Sequence, residues 1–156
     1  MGKITQNVPY LFTVNPIRNI PQDVSVNFLK SLNEARRYIS FFDWGNTISE
    51  FVGAHFDGIL SIFMFELEPL RDDVDHWVWV LVGDIPAAYI TCEDAKTPYE
   101  ALDGYVGAME EWVQAARDGA SVAELIPVNV PATPANAALL DSRLKFIDEK
   151  ILPLLR

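Results

Sequence analysis

Two runs within residues 58–92 place apolar side chains at both parities of a strand, and this constrains the fold more than any other feature. Ile59, Phe63, Phe65 and Leu67 alternate with Leu60, Ile62 and Met64, and Trp77, Trp79 and Leu81 alternate with Val78, Val80 and Val82. Successive side chains of a strand point to opposite faces, so strands of this kind need cover on both sides of their sheet. The connection 69–75 is too short for a crossover helix, which makes the pair antiparallel. Gly83 and Asp84 supply a turn, Pro86 limits the ladder, and residues 87–92 form another strand. Residues 47–55 fit two patterns: Thr47 with Glu50 matches a capping box, whereas Asp57-Gly58 matches a hairpin turn and favours a strand.

Helices flank this meander. Phe28, Leu32, Ala35, Ile39 and Phe42 recur at helical spacing, with Lys30, Glu34 and Arg37 on another face. They predict a helix from about Ser25 that fades near Trp44, Gly45 and Asn46. Before it, residues 8–14 read as an extended arm that Pro9 and Pro16 would confine to an edge. After the strands, Thr97 is an N-cap, Pro98 suits the first helical position, Glu100 completes a capping box, and Gly119 is the C-terminal cap. Leu102, Tyr105, Val106, Met109, Trp112, Val113 and Ala116 form its apolar stripe. Ala101, Gly104 and Ala108 lie at helical spacing too, and glycine inside a helix costs about 1 kcal/mol relative to alanine, which asks for a close approach to the sheet or to a second subunit. Residues 126–131 read as an extended connector. Thr133 and Pro134 then open a last helix with Leu140, Leu144, Ile147 and Ile151 facing inward, which Pro153 is expected to end. The fold expected is one α+β domain over residues 1–156: a helix, an antiparallel meander of three or four strands over about 48–92, then two long helices.

Composition narrows the function classes. Half of the residues are hydrophobic and nine Phe, five Tyr and four Trp are available for a core, which excludes a disordered chain. A net charge of -10, with no stripe of Lys or Arg, opposes binding to nucleic acid or to an anionic membrane and matches a basic partner. The single Cys92 allows no internal disulfide and sits in an apolar strand, as expected of a small hydrophobe in a reducing compartment. The first twenty residues lack the apolar run of a signal peptide, and no stretch reaches the roughly 18 apolar residues of a membrane span. The expected location is cytoplasmic.

The antiparallel topology gathers Glu66, Glu68, Asp72, Asp73, Asp75, Glu93 and Asp94 at one end of the sheet, with Arg71 and His76 among them. Such carboxylates could take a hard cation or dock a basic protein, but their spacing matches no EF-hand, and no metal or cofactor is assigned. His55 and His76 are expected at different places along the sheet, which argues against a shared site. The chain contains no nucleophile elbow, P-loop, dinucleotide fingerprint, C-x-x-C or H-E-x-x-H. The reading that follows is a binding protein rather than an enzyme, docking a basic partner through the carboxylate-rich end. Two alternatives stand beside it. One is a small-molecule pocket or active site around Trp77, Trp79 and Tyr89, with His76 or an acid as polar anchor. The other is a homodimer whose seam is the Ala101, Gly104, Ala108 face or an exposed strand edge.

Overall fold

The computed structural model describes residues 15–17, 26–42, 44–69 and 76–156. Its elements are β1 (Asn15–Pro16), α1 (Val26–Ser40), β2 (Gly45–Phe56), β3 (Leu60–Pro69), β4 (Trp77–Gly83), β5 (Ala88–Thr91), α2 (Pro98–Asp118) and α3 (Pro134–Phe146). The strands form one antiparallel sheet in the order β1-β2-β3-β4-β5, the α+β arrangement that the hydrophobic pattern predicts. Residues 47–55 are strand, and the hairpin turn overrides the capping-box signal. The arm expected over 8–14 lies outside the described residues.

Both faces of the sheet are covered, and the parity of each side chain decides its layer. Leu60, Ile62, Met64, Trp79 and Leu81 join Phe51 in a core beneath α2 and α3. Phe63, Phe65, Val78, Val80 and Val82 pack against Leu32, Ala35 and Ile39 of α1. Phe63, Phe65 and Trp79 are completely buried, each contributing roughly 1.5–3 kcal/mol or more by removal from water. The Trp79 indole N–H donates to the Ala95 carbonyl at 3.0 Å, so the largest side chain of the sheet interior carries no unsatisfied donor.

Local chemistry explains where the elements begin and bend. At the start of α2, Thr97 Oγ1 accepts from Glu100 N at 3.1 Å and the Glu100 carboxylate accepts from Lys96 N at 2.6 Å. Gly119 closes the helix in the left-handed conformation, φ 69°. β2 carries two irregularities, at Ile48 and Gly53. A Cβ on Gly53 would lie 3.0 Å from Pro98 Cγ and 3.1 Å from Trp79 Cζ3, so the second bulge is where α2 and the Trp79 ring approach the backbone. Gly83 is more constrained still: φ is 134°, and a Cβ would stand 2.5 Å from the Ile59 carbonyl oxygen.

Three expectations change. Gly104 and Gly107 are exposed, and a Cβ on either meets nothing within 4 Å, so no close approach within the chain requires them. Helix α1 ends at Ser40 and leaves through i to i+3 bonds, which takes Phe42 off the helical stripe. Pro153 does not stop the last helix. Its ring excludes the carbonyl four residues back, and the chain widens into a π turn (Ile147–Ile151), with Leu152 N–H bonding Ile147 O, then tightens into a 3-10 turn (Leu152–Leu155).

Replacing Gly83 by Ala is expected to destabilise the fold by about 2 kcal/mol or more, because strained backbone and collision with Ile59 add. Gly104→Ala is expected to be neutral or stabilising by up to about 1 kcal/mol. Urea unfolding of the two variants checks both signs.

Candidate functional site

The end of the sheet formed by the start of β2, the end of β3, the start of β4 and the turn after β5 is the one that the carboxylates share. Glu66 pairs with Trp77, and Glu68 pairs with Asn46. The Leu67 amide donates to the His76 carbonyl at 2.7 Å, and the Cys92 amide donates to the Trp77 carbonyl at 3.3 Å, which brings Glu93 and Asp94 to the same end. Asp72, Asp73 and Asp75, with Arg71, lie outside the described residues.

These acids differ in their commitments. Ser49 Oγ donates to Glu66 at 2.7 Å, half-burying that carboxylate. Asp94 accepts from Thr91 Oγ1 at 3.0 Å within its own turn. Glu68, Glu93 and Asp94 are exposed, as is His76. Lys96 Nζ donates to the Glu93 carbonyl at 3.0 Å and the Cys92 carbonyl at 3.4 Å, stitching the turn closed. Among the described residues no group of three His, Cys, Asp or Glu is placed to hold a metal ion.

An aromatic cluster at this end is absent from the sequence expectation. Phe42 stacks on Trp44 with centroids 4.3 Å apart, and both meet Tyr89 edge-on, at 5.6 and 4.7 Å. Tyr38 and Phe41 flank Phe42 at 5.2 and 5.9 Å. The rings touch one another, so the cluster is a closed surface and not an open cage for a ligand. Burial raises the Tyr38 phenol to about 12, with the neighbouring Tyr89 phenol adding to the rise and a hydrogen bond to the Tyr89 backbone opposing it. Phe41, by contrast, stands 87% exposed. Helical spacing put only Phe42 of this group on the inward stripe and placed Trp44 where the helix fades.

The other candidates separate. Trp77 and Trp79 lie on the α2 side with buried Cys92, whereas Tyr89 projects on the α1 side, so the three do not line one pocket. Trp112 is also core. His55 sits at the opposite end of the sheet from His76. Its Nδ1 meets Ser61 Oγ at 2.7 Å and its Nε2 meets Asp57 at 2.9 Å, while Asn27 of α1 donates to the other Asp57 oxygen at 2.9 Å. The order serine, histidine, aspartate matches that of a nucleophile, base and orienting acid, but Ser61 is completely buried and no substrate can reach it. The edge of the Phe28 ring meets His55 at 5.2 Å, and the set fastens the β2–β3 hairpin to the start of α1.

Comparison with known proteins adds no family: no family model matches the chain, and no curated protein or solved structure matches it either. No described helix is long and apolar enough to cross a membrane.

The Tyr38 geometry has a pH consequence. A phenol held above its unfolded value of about 10 adds stability that is complete below pH 10 and lost as the pH rises toward 12. Buried Tyr105, whose hydroxyl donates to the Pro86 carbonyl at 2.7 Å, is raised also and contributes to the same loss. Urea unfolding at pH 9, 10 and 11 is expected to show a shallower decline for Tyr38→Phe than for the parent chain. An identical decline would remove Tyr38 from the account.

Proposed function

We propose that the protein is a binding module that docks a basic protein partner at the acidic and aromatic end of its sheet. The observation that carries this is the coincidence there of exposed apolar rings with exposed carboxylates. Phe41 and Tyr89 supply uncovered aromatic surface, and bulged Ile48, 56% exposed, lies near the start of β2 at this end. Glu68, Glu93 and Asp94, exposed at the same end of the sheet, make that end negative. Interfaces combine aromatic anchors at the centre with charged groups at the rim in this manner, and aromatic faces also attract guanidinium and ammonium groups.

The whole-chain charge of -10 supports the choice of partner. A negative field speeds encounter with a cationic surface and opposes nucleic acid and anionic lipid. The single cysteine, Cys92, buried and in no disulfide, supports a reducing, cytoplasmic setting. Among the described residues catalysis has no comparable support, since the Ser61–His55–Asp57 set has its serine completely buried.

Affinity capture from an extract of the source cells, at low and high salt, tests this reading. A basic protein retained at about 50 mM salt and lost at about 500 mM is expected, since screening shortens the range of surface charge. Replacing Glu68, Glu93 and Asp94 together by Lys is expected to abolish capture, and Phe41→Ala to weaken it by about 2 kcal/mol, the size of an interface anchor. All four side chains are exposed, so the variants should fold. Retention of the same partner by the triple Lys variant would overturn the proposal.

A further inference from the structure

The opposite end of the sheet carries a cleft that the docking surface does not use. It is about 330 Å³ in volume and lies between the β4–β5 turn, the connector before α3, and the facing sides of α2 and α3. Its base is Trp112, Ile85 and Leu140, all buried, and its walls include Val130 and Leu139, 49% and 60% exposed. Two apolar side chains left open to water on the walls of one groove are the feature to be explained, since filling the groove would remove both from solvent. The volume is at the small end of ligand pockets, which suits a single small metabolite and not a nucleotide.

The lining holds one ion pair. Arg143 Nε of α3 donates to Asp84 of the β4–β5 turn at 3.3 Å. Both side chains are largely exposed, 45% and 70%, so the pair is worth little by itself and opens at small cost. An open pair of this kind offers a carboxylate to an ammonium and a guanidinium to a carboxylate, beside an apolar cavity. Arg143 suits carboxylate recognition because its guanidinium presents several donors in one plane.

We propose that this cleft binds a free apolar α-amino acid, its side chain against Trp112 and Leu139, its ammonium on Asp84 and its carboxylate on Arg143. The zwitterion follows from the charges present. An apolar acid would win Arg143 only by displacing Asp84 and would leave that carboxylate beside its own. An apolar amine would meet Arg143 in the same way. A neutral apolar molecule would make no use of the pair. The zwitterion exchanges one ion pair for two, and with no net charge it approaches a chain of charge -10 without repulsion.

Calorimetric titration with L-leucine and L-phenylalanine, set against 4-methylpentanoate and 3-methylbutylamine, tests this directly. At least one of the two amino acids is expected to bind, and about tenfold more tightly than the acid or the amine, each of which lacks one charge-assisted contact. Asp84→Asn and Arg143→Gln are each expected to weaken amino-acid binding about tenfold, and Asp84→Asn alone to strengthen binding of 4-methylpentanoate by freeing Arg143. Both positions are exposed, so the variants report on the site and not on folding. Absence of binding by both amino acids at about 10 mM, equal binding of all probes, or indifference to both substitutions would overturn the proposal.

Discussion

The two central strands are apolar on both faces, and the rest of the structure answers to that constraint. A sheet with Phe63, Phe65 and Val80 on one side and Met64, Trp79 and Leu81 on the other must be sandwiched. Helix α1 provides one layer, and α2 with α3 the other. The α1 layer is fastened at two places: Arg36 grips Glu50 of β2 through two bonds of 2.6 and 2.7 Å, and the Asn27–Asp57–His55–Ser61 chain holds its first turn to the hairpin. On the other side, Arg117 of α2 and Lys145 share Asp141 of α3, each at 3.0 Å. The hydrogen bond from Lys145, followed by that from Arg117, holds the Asp141 carboxyl below its usual range. These exposed pairs set orientation more than stability.

With both faces covered, the ends of the sheet and the groove beside α3 stay open to solvent. The antiparallel order sends the end of β3, the start of β4 and the turn after β5 to one end, where the acids and the aromatic cluster sit. The β2–β3 and β4–β5 turns share the other end, where Ser61 is buried and the Asp84–Arg143 pair borders the groove. The two ends are chemically unlike, one anionic and aromatic, the other apolar with a balanced pair. That division lets one small sheet present two independent surfaces.

The fold was legible because each level of the sequence agreed with the next. Parity in β3 and β4 demanded two layers, a short connection demanded an antiparallel pair, and Thr97-Pro98 with Glu100 marked α2 to the residue. The carboxylate end was legible for the same reason, since Glu66, Glu68, Glu93 and Asp94 follow from topology alone. Contacts between residues far apart in the chain were not. Trp44 meets Tyr89 because the chain leaves α1 at Ser40 and packs Phe42 and Trp44 together against that ring, and Asp84 meets Arg143 across the groove at a separation of 59 residues. The hairpin set was closer to hand: His55 and Ser61 are cross-strand partners once the Asp57-Gly58 turn is recognised. Periodicity reported faces well and reported nothing about which faces would meet.

Cross-linking of the complex with its captured basic partner, followed by mass spectrometry, tests the central claim most directly. Lys96 lies over the acidic turn, with its ammonium on the Glu93 carbonyl, whereas Lys145 lies on α3 beside Asp141. The account predicts links from the partner to Lys96 and none to Lys145 or Lys150. Links concentrated on Lys145 and Lys150, with Lys96 unmodified by the partner, would place the interface on the α3 face and contradict it.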